Sequence, residues 1–145
     1  MKVAFGIITV VVAICSATSL AAQSDDVAQV KAAEIAFNAA QNAGNMDALF
    51  GFLAPGRTNF AAGRRLVVGW TEQDKKRRQA EFDAGRKIDL KIEDLQVRIF
   101  GDTAVTTFYR IGTDKGVNET AKPVHLQISG VWVRTPGGWK LVHRH

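Results

Sequence analysis

The strongest constraint on the fold is a hairpin motif formed by the last two strand-like segments of the sequence. Two segments rich in valine and tryptophan alternate apolar and polar residues on either side of Pro136-Gly137-Gly138. Proline presets the backbone angle at the start of a turn and the glycines tolerate left-handed angles, so the segment favours a tight turn. Such a turn pairs Arg134 with Trp139. The sequence therefore predicts a sheet that closes on a tryptophan-rich hairpin.

Helical patterns come before the strands. Hydrophobic periodicity and terminating glycines predict helices over residues 25–43, 46–53 and 71–84. Asn45 is placed to cap the second helix, and Thr71 with Asp74 forms a capping box for the third. All the predicted helices therefore precede the long strands.

Alternating patterns account for the remaining segments. They predict an irregular hairpin around Gly63 and then long strands, over residues 57–61, 66–68, 87–100, 103–112, 123–134 and 139–145. The alternation slips by one residue at Glu93-Asp94, which predicts a bulge or a sharp bend. Helices followed by long, bent antiparallel strands predict an α+β fold in which the sheet wraps around the helices.

The N-terminal segment has the layout of a secretory signal peptide. Lys2 precedes an apolar run over residues 3–15, and small residues follow, with predicted cleavage after Ala21 or Ala22. A retained membrane anchor is the alternative, although the apolar run is shorter than a bilayer-spanning helix. We predict a signal peptide over 1–22, a single domain over 23–145, export to the periplasm or beyond, and no stable membrane anchor after cleavage.

Composition narrows the possible partners. Residues 23–145 contain no cysteine, which excludes disulfides and thiolate chemistry there. Loss of Lys2 lowers the formal charge from +5 to +4. The basic run over residues 75–78 points in four directions around a helix and is surrounded by acidic residues, so it does not predict nucleic-acid binding. Attraction to anionic envelope lipids is the alternative for this run.

The first predicted helix carries polar residues on an apolar stripe. Glu34 and Gln41 share that stripe with apolar residues, namely Val27, Val30, Ala33, Phe37 and Ala40. The opposite side carries Ala28, Ala32, Ile35 and Ala39, which predicts a helix buried on two sides. Burial would raise the pKa of Glu34 toward the range of a general base; the alternative is an ion pair with an arginine such as Arg110.

Four phrases of the sequence, in this order, resemble one superfamily. They are the segment 37–49 with its Asn-Ala-Gly helix end, Val-Val-Gly at 67–69, Gly-Asp-Thr-Ala-Val at 101–105 and Gly-Trp-Lys-Leu-Val-His at 138–143. Across 23–145 the chain resembles the SnoaL-like, nuclear transport factor 2-like superfamily. The resemblance implies a cystatin-like cone, in which a strongly curved antiparallel sheet wraps around N-terminal helices and encloses a central pocket. It also implies a homodimer.

The best-known chemistry of that superfamily resembles ketosteroid isomerisation, which uses a tyrosine, a carboxylate base and a protonated acid. The resemblance places Phe37, Ala61 and Ile128 at the corresponding positions of this chain. None of these three side chains carries the required group, so steroid-type isomerisation is not expected. The superfamily also includes an assembly module, the association domain of calcium/calmodulin-dependent kinase.

The three histidines raise the question of a metal. His143 and His145 alternate on the last strand, and His125 lies on the strand before it. A tight turn places His145 opposite Ile128 and leaves His125 beyond reach. We therefore predict no metal site and no cofactor.

The sequence favours an exported, non-catalytic domain for ligand binding or assembly. Its pocket is expected to hold a small apolar ligand against Phe37, Gln41 and Trp70. The alternative is a cofactor-independent enzyme of isomerase, cyclase or hydrolase type, with Glu34 as base and Gln41 or His143 as the polarising group.

Overall fold

The computed structural model describes the backbone of residues 12–60 and 65–145 and the side chains of 23–60 and 65–145. Its helices are α1 (Val12–Asn42), α2 (Met46–Gly51) and α3 (Glu72–Asp83). Both predicted caps are confirmed: the Asn45 side chain accepts from the Ala48 amide, and Thr71 and Asp74 form the capping box. Positions 61 and 63, to which the sequence analysis assigned a missing base and a hairpin centre, lie outside the described residues.

Helix α1 begins earlier than the predicted residue 25 and includes the backbone of part of the segment interpreted as a signal peptide. Residues 1–11 of that segment lie outside the description, and cleavage after Ala21 or Ala22 stays a prediction. None of the helices in the described part of the chain has both the length and the apolar character needed to cross a bilayer.

Only one face of α1 is covered. Val30, Glu34, Phe37 and Ala40 are buried against the sheet, whereas Ile35 on the other side is 57% exposed. The prediction of a helix buried on two sides is therefore wrong for the single chain. The sheet wraps around one side of the helix, and no described element covers the other.

Six strands form one sheet in the order β2-β1-β6-β5-β4-β3. They are β1 (Leu53–Phe60), β2 (Leu66–Val68), β3 (Lys87–Phe100), β4 (Thr103–Lys115), β5 (Lys122–Thr135) and β6 (Gly138–Arg144). All neighbours are antiparallel except β1 and β6, which are parallel. The curved sheet and the helices it encloses confirm the predicted α+β cone.

Three further predicted boundaries are wrong. Helix α2 ends at Gly51, and β1 starts at Leu53 and continues through Pro55. The pairing of β1 with β6 is irregular between Leu53 and Thr58, which gives the proline a place without a regular ladder bond. Strand β4 also continues to Lys115, past the predicted end at residue 112.

The predicted bend in β3 is confirmed. The register with β4 shifts between Glu93 and Gln96, and Asp94 has a φ of 54°. One extra residue in the strand returns the later apolar side chains to the inner face. Leu90 is thus buried before the bulge, and Val97 packs against the core after it.

The closing hairpin has the predicted turn but not the predicted register throughout. Arg134 pairs with Trp139, as expected. Further along, the register shifts by one residue at Val142, and the backbone of His145 bonds with Ser129 in both directions. The prediction that His145 lies opposite Ile128 is therefore wrong by one residue.

The shift at Val142 decides which side chains of β6 face inward. Leu141 is fully buried before it, and Arg144 is buried after it. Without the extra residue, Leu141 and His143 would share the inner face. The bulge instead turns Arg144 inward and His143 outward.

Candidate functional site

A cavity of about 160 Å³ lies between the helices and the inner face of the sheet. One part of its lining is apolar: Phe37, Met46, Leu49, Trp70, Phe82 and Ile88. The other part is polar and consists of Gln41, Arg57, Arg78, Arg110 and Arg144. The three side chains predicted to contact a ligand, Phe37, Gln41 and Trp70, all belong to this lining. Their role in binding stays a prediction.

All three helices and four of the six strands contribute to the cavity. Helix α1 supplies Phe37 and Gln41, α2 supplies Leu49, and α3 supplies Arg78. Strands β1, β4 and β6 each supply one arginine, and Trp70 comes from the connection before α3. The cavity is therefore a product of the complete cone.

Glu34 lies behind this lining, fully buried between α1 and the sheet. Its Oε1 atom accepts hydrogen bonds from Thr106 Oγ1 at 2.8 Å and from Trp132 Nε1 at 2.7 Å. Its Oε2 atom forms a salt bridge with Arg144. Glu34 is thus paired with an arginine, but the partner is Arg144 rather than the suggested Arg110.

Arg110 interacts with α1 through a different residue. Its Nε donates to Asn38 Oδ1 at 2.9 Å, and its Nη2 finds no acceptor among the described residues. Burial, followed by repulsion from Arg144, lowers the pKa of Arg110 to about 10. The side chain is therefore positioned firmly while part of its guanidinium lacks a partner.

Arg57, on strand β1, is likewise a buried arginine with a lowered pKa. Burial lowers the pKa of Arg57 to about 10, with further contributions from Arg144 and Arg78. The guanidinium carbons of Arg57 and Arg78 each lie 5.2 Å from the ring centroid of Trp70. Asn59 accepts a hydrogen bond from Trp70 Nε1 at 3.2 Å, so the indole is held in place among cations.

His143 lies outside the cavity. Its Nδ1 is 2.7 Å from Thr58 Oγ1, and its ring packs against Phe60. The predicted alternative, an enzyme, places His143 in one active site with Glu34 and Gln41. The bulge at Val142 instead turns His143 to the outer face of the sheet. These three side chains therefore do not converge on one cavity.

The three histidines do not form a metal-binding cluster: His143 and His145 both pack against Phe60, and His125 packs against a different ring. The ring of His125 packs against Tyr109 with 5.5 Å between centroids, and His145 lies against Phe60. Within the described part of the chain, no three metal-ligating side chains come together.

The arginines of the cavity were not identified from the sequence. Arg78 was interpreted as part of a solvated basic run. Arg110 alternates with Phe108 and Thr106, and this inward pattern was a usable signal. Arg144 lies between two histidines and faces inward only because of the β6 bulge, which nothing in the sequence marks.

Comparison with known proteins adds three solved structures that share this fold. A nuclear transport factor 2-like superfamily protein from Salmonella enterica is 18% identical with a TM-score of 0.69, covering 84% of this chain and 89% of its own. A ketosteroid isomerase-like protein from Erwinia carotovora is 20% identical with a TM-score of 0.67, covering 82% and 92%. The CaMKII hub of S. rosetta is 25% identical with a TM-score of 0.66, covering 82% and 93%.

Sequence comparison gives the family. Among curated proteins, none matches the chain significantly. The sequence model of the family described as SnoaL-like domain matches residues 30–145, a span that contains every residue lining the cavity. The chain therefore belongs to the SnoaL-like domain family.

Proposed function

We propose that this chain is an exported, non-catalytic domain that binds a small ligand with an apolar body in the cone cavity. The observation that carries the proposal is the composition of the lining. An apolar wall that includes Phe37 and Leu49 faces the buried guanidinium groups of three arginines, Arg57, Arg110 and Arg144. A concave, mainly apolar site with a few converging polar groups is typical of small-molecule binding sites.

The arrangement of Glu34 supports a role without catalysis. A general base must present an oxygen to the proton that it removes. Both carboxylate oxygens of Glu34 are engaged, by Thr106 and Trp132 on one side and by Arg144 on the other. Glu34 is better suited to orienting Arg144 and fixing the cavity wall.

The binding proposal can be tested by NMR with the purified domain, residues 23–145. A set of ring compounds close to benzene in size, containing both neutral and acidic members, is titrated into ¹⁵N-labelled protein. We expect at least one member to shift the signals of residues 37, 49 and 70 in a saturable manner. Absence of any saturable shift at the cavity would contradict the proposal.

A matched pair of variants locates the binding event. Leu49→Phe fills part of the cavity, whereas Ala48→Phe adds the same ring at an exposed position of α2. Binding is expected to weaken in the first variant and to persist in the second. Equal effects would place the ligand elsewhere.

Assembly is the second candidate function. The chain is 25% identical to the CaMKII hub of S. rosetta across most of both chains. On the outer face of β4, Tyr109 is 37% exposed and packs against His125. Exposed aromatic residues on a sheet favour contact with a second subunit. We therefore propose a homodimer formed through the outer face of the sheet.

A further inference from the structure

We propose that the ligand of this cavity is a small organic anion of about the size of benzoate, whose carboxylate is bound by Arg57, Arg110 and Arg144. This inference rests on the proposed binding function and names the chemical class of the ligand. The sequence predicts an apolar ligand; the proposed ligand has an apolar body and also a carboxylate.

The lining of the cavity is positively charged. Four guanidinium groups line the cavity, and no carboxylate does. Glu34 is the acid paired with one of them, Arg144, from behind the lining. Arg57 and Arg110 have no salt bridge among the described residues. The cavity therefore carries more buried positive charge than the surrounding described protein compensates.

Three of the cavity arginines are buried and have N–H donors without acceptors. Arg57, Arg110 and Arg144 are only 6%, 5% and 8% exposed. Within the described part of the chain, no acceptor reaches Arg57 Nε, Arg110 Nη2 or Arg144 Nε, and Arg86 Nε, outside the cavity lining, also lacks one. Buried donors are normally bonded, and leaving one without a partner costs stability. A carboxylate has two oxygens that accept from guanidinium groups in a planar geometry.

The positive charges of Arg57, Arg110 and Arg144 also repel one another. Arg144 contributes to the lowered pKa of both Arg57 and Arg110, after the larger effect of burial. The three cations therefore interact unfavourably in a region of low polarity. An anion placed among them would reverse the sign of that interaction.

A nearby arginine shows how this chain compensates a structural cation. Arg86 donates to Glu81 Oε2 and to Asp114 Oδ2, each at 2.7 Å. These two acids outweigh the effect of burial, and the pKa of Arg86 is raised. Arg144 has Glu34 and Arg78 has Glu81, but Arg57 and Arg110 have no acidic partner among the described residues. This difference favours a ligand role for Arg57 and Arg110 over a purely structural one.

The size and the apolar wall of the cavity narrow the ligand class further. The cavity measures about 160 Å³. An apolar cavity of about 150 Å³ holds benzene. Phe37, Leu49 and Ile88 give an apolar surface that an inorganic anion would leave uncovered. An aromatic or branched aliphatic monocarboxylate fits both parts of the lining.

The test compares benzoate with benzamide, which has the same shape but no charge, by isothermal titration calorimetry and NMR. We expect benzoate to bind at least about tenfold more tightly, because hydrogen bonds from a guanidinium group to a carboxylate are stronger than those to a neutral amide oxygen. Equal affinity of the two compounds at the cavity would overturn the anion inference and leave the binding function intact. Failure of both, together with every other ring compound, would instead contradict the binding function.

Inorganic phosphate and sulfate form a third arm of the test. We expect neither to compete with benzoate at equal concentration, since neither covers the apolar wall. Competition by either ion with equal affinity would overturn the organic part of the inference.

Variants connect the preference to the named residues. Arg57→Met and Arg110→Met should each abolish the tenfold preference for benzoate, while Arg98→Met, at an exposed position of β3, should preserve it. Methionine removes an uncompensated buried charge, so we expect the thermal midpoints of both cavity variants to equal or exceed that of the wild type. A folded Arg57→Met or Arg110→Met protein that retains the full preference would overturn the assignment.

Discussion

At the scale of single residues, Glu34 holds the structure around the cavity together. Its carboxylate joins α1 to β4, β5 and β6 through Thr106, Trp132 and Arg144. The fit is close: a Cβ atom added to Gly130 would meet Thr106 Oγ1 at 2.6 Å and Glu34 Oε1 at 3.1 Å. Substituting this acid therefore affects three strands together.

We predict that Glu34→Gln destabilises the domain by about 3 to 5 kcal/mol, the usual cost of leaving one member of a buried ion pair alone. The amide can still accept from Trp132, but it leaves the charge of buried Arg144 uncompensated. Urea unfolding followed by circular dichroism measures the change. Glu119→Gln, which removes an exposed pair with Lys122, serves as the control and should have no measurable effect.

Sequence periodicity could place Glu34 on the buried stripe, because a helical repeat fixes direction. It could not identify Arg144 as the partner, since the inward turn of Arg144 depends on one extra residue in β6. The same uncertainty put His143 in the candidate site. A shift of one residue in a strand exchanges the two faces, and no local signal at Val142 announces it.

At the scale of elements, the bulges and irregular pairings of the sheet determine where side chains point. The bend in β3 was predictable because apolar residues change phase at Glu93-Asp94. The start of β1 was not, since Pro55-Gly56 normally ends an element, whereas here it lies in a strand with irregular pairing. A bulge can therefore be predicted from the sequence only where the alternation of apolar residues changes phase at that position.

Strand β4 contains a glycine that its neighbour requires. Gly112 has a φ of 152°, and an added Cβ atom would lie 1.9 Å from the Asp89 carbonyl oxygen in β3. We predict that Gly112→Ala lowers the free energy of unfolding by at least about 2 kcal/mol, because a close backbone contact cannot relax without moving the strand. Chemical denaturation monitors the loss.

The control for this prediction is Gly51→Ala at the end of α2, where an added Cβ atom meets no atom within 4 Å. That variant should be unchanged or more stable by about 0.5 kcal/mol. Equal stability of the two variants would contradict the steric explanation.

At the scale of the whole molecule, the proposed homodimer through the outer face of the sheet can be tested directly. We predict that the domain has the mass of a dimer in light scattering at micromolar concentration, and that Tyr109→Glu reduces it to the mass of one chain. Ile35→Glu, on the exposed face of α1, is the matched variant and should remain dimeric. Dissociation by Ile35→Glu alone would move the interface to the helix.

The salt bridge between Glu34 and Arg144 also has a consequence for folding, because its partners are 110 residues apart in sequence. Contacts of such long separation form late, after the loop between them has lost its freedom. Until β6 has been synthesised and added between β1 and β5, Glu34 lacks its counterion, although α1 can already pack against β3. We therefore expect the cavity, which Arg144 helps to line, to be among the last features completed in a nascent chain.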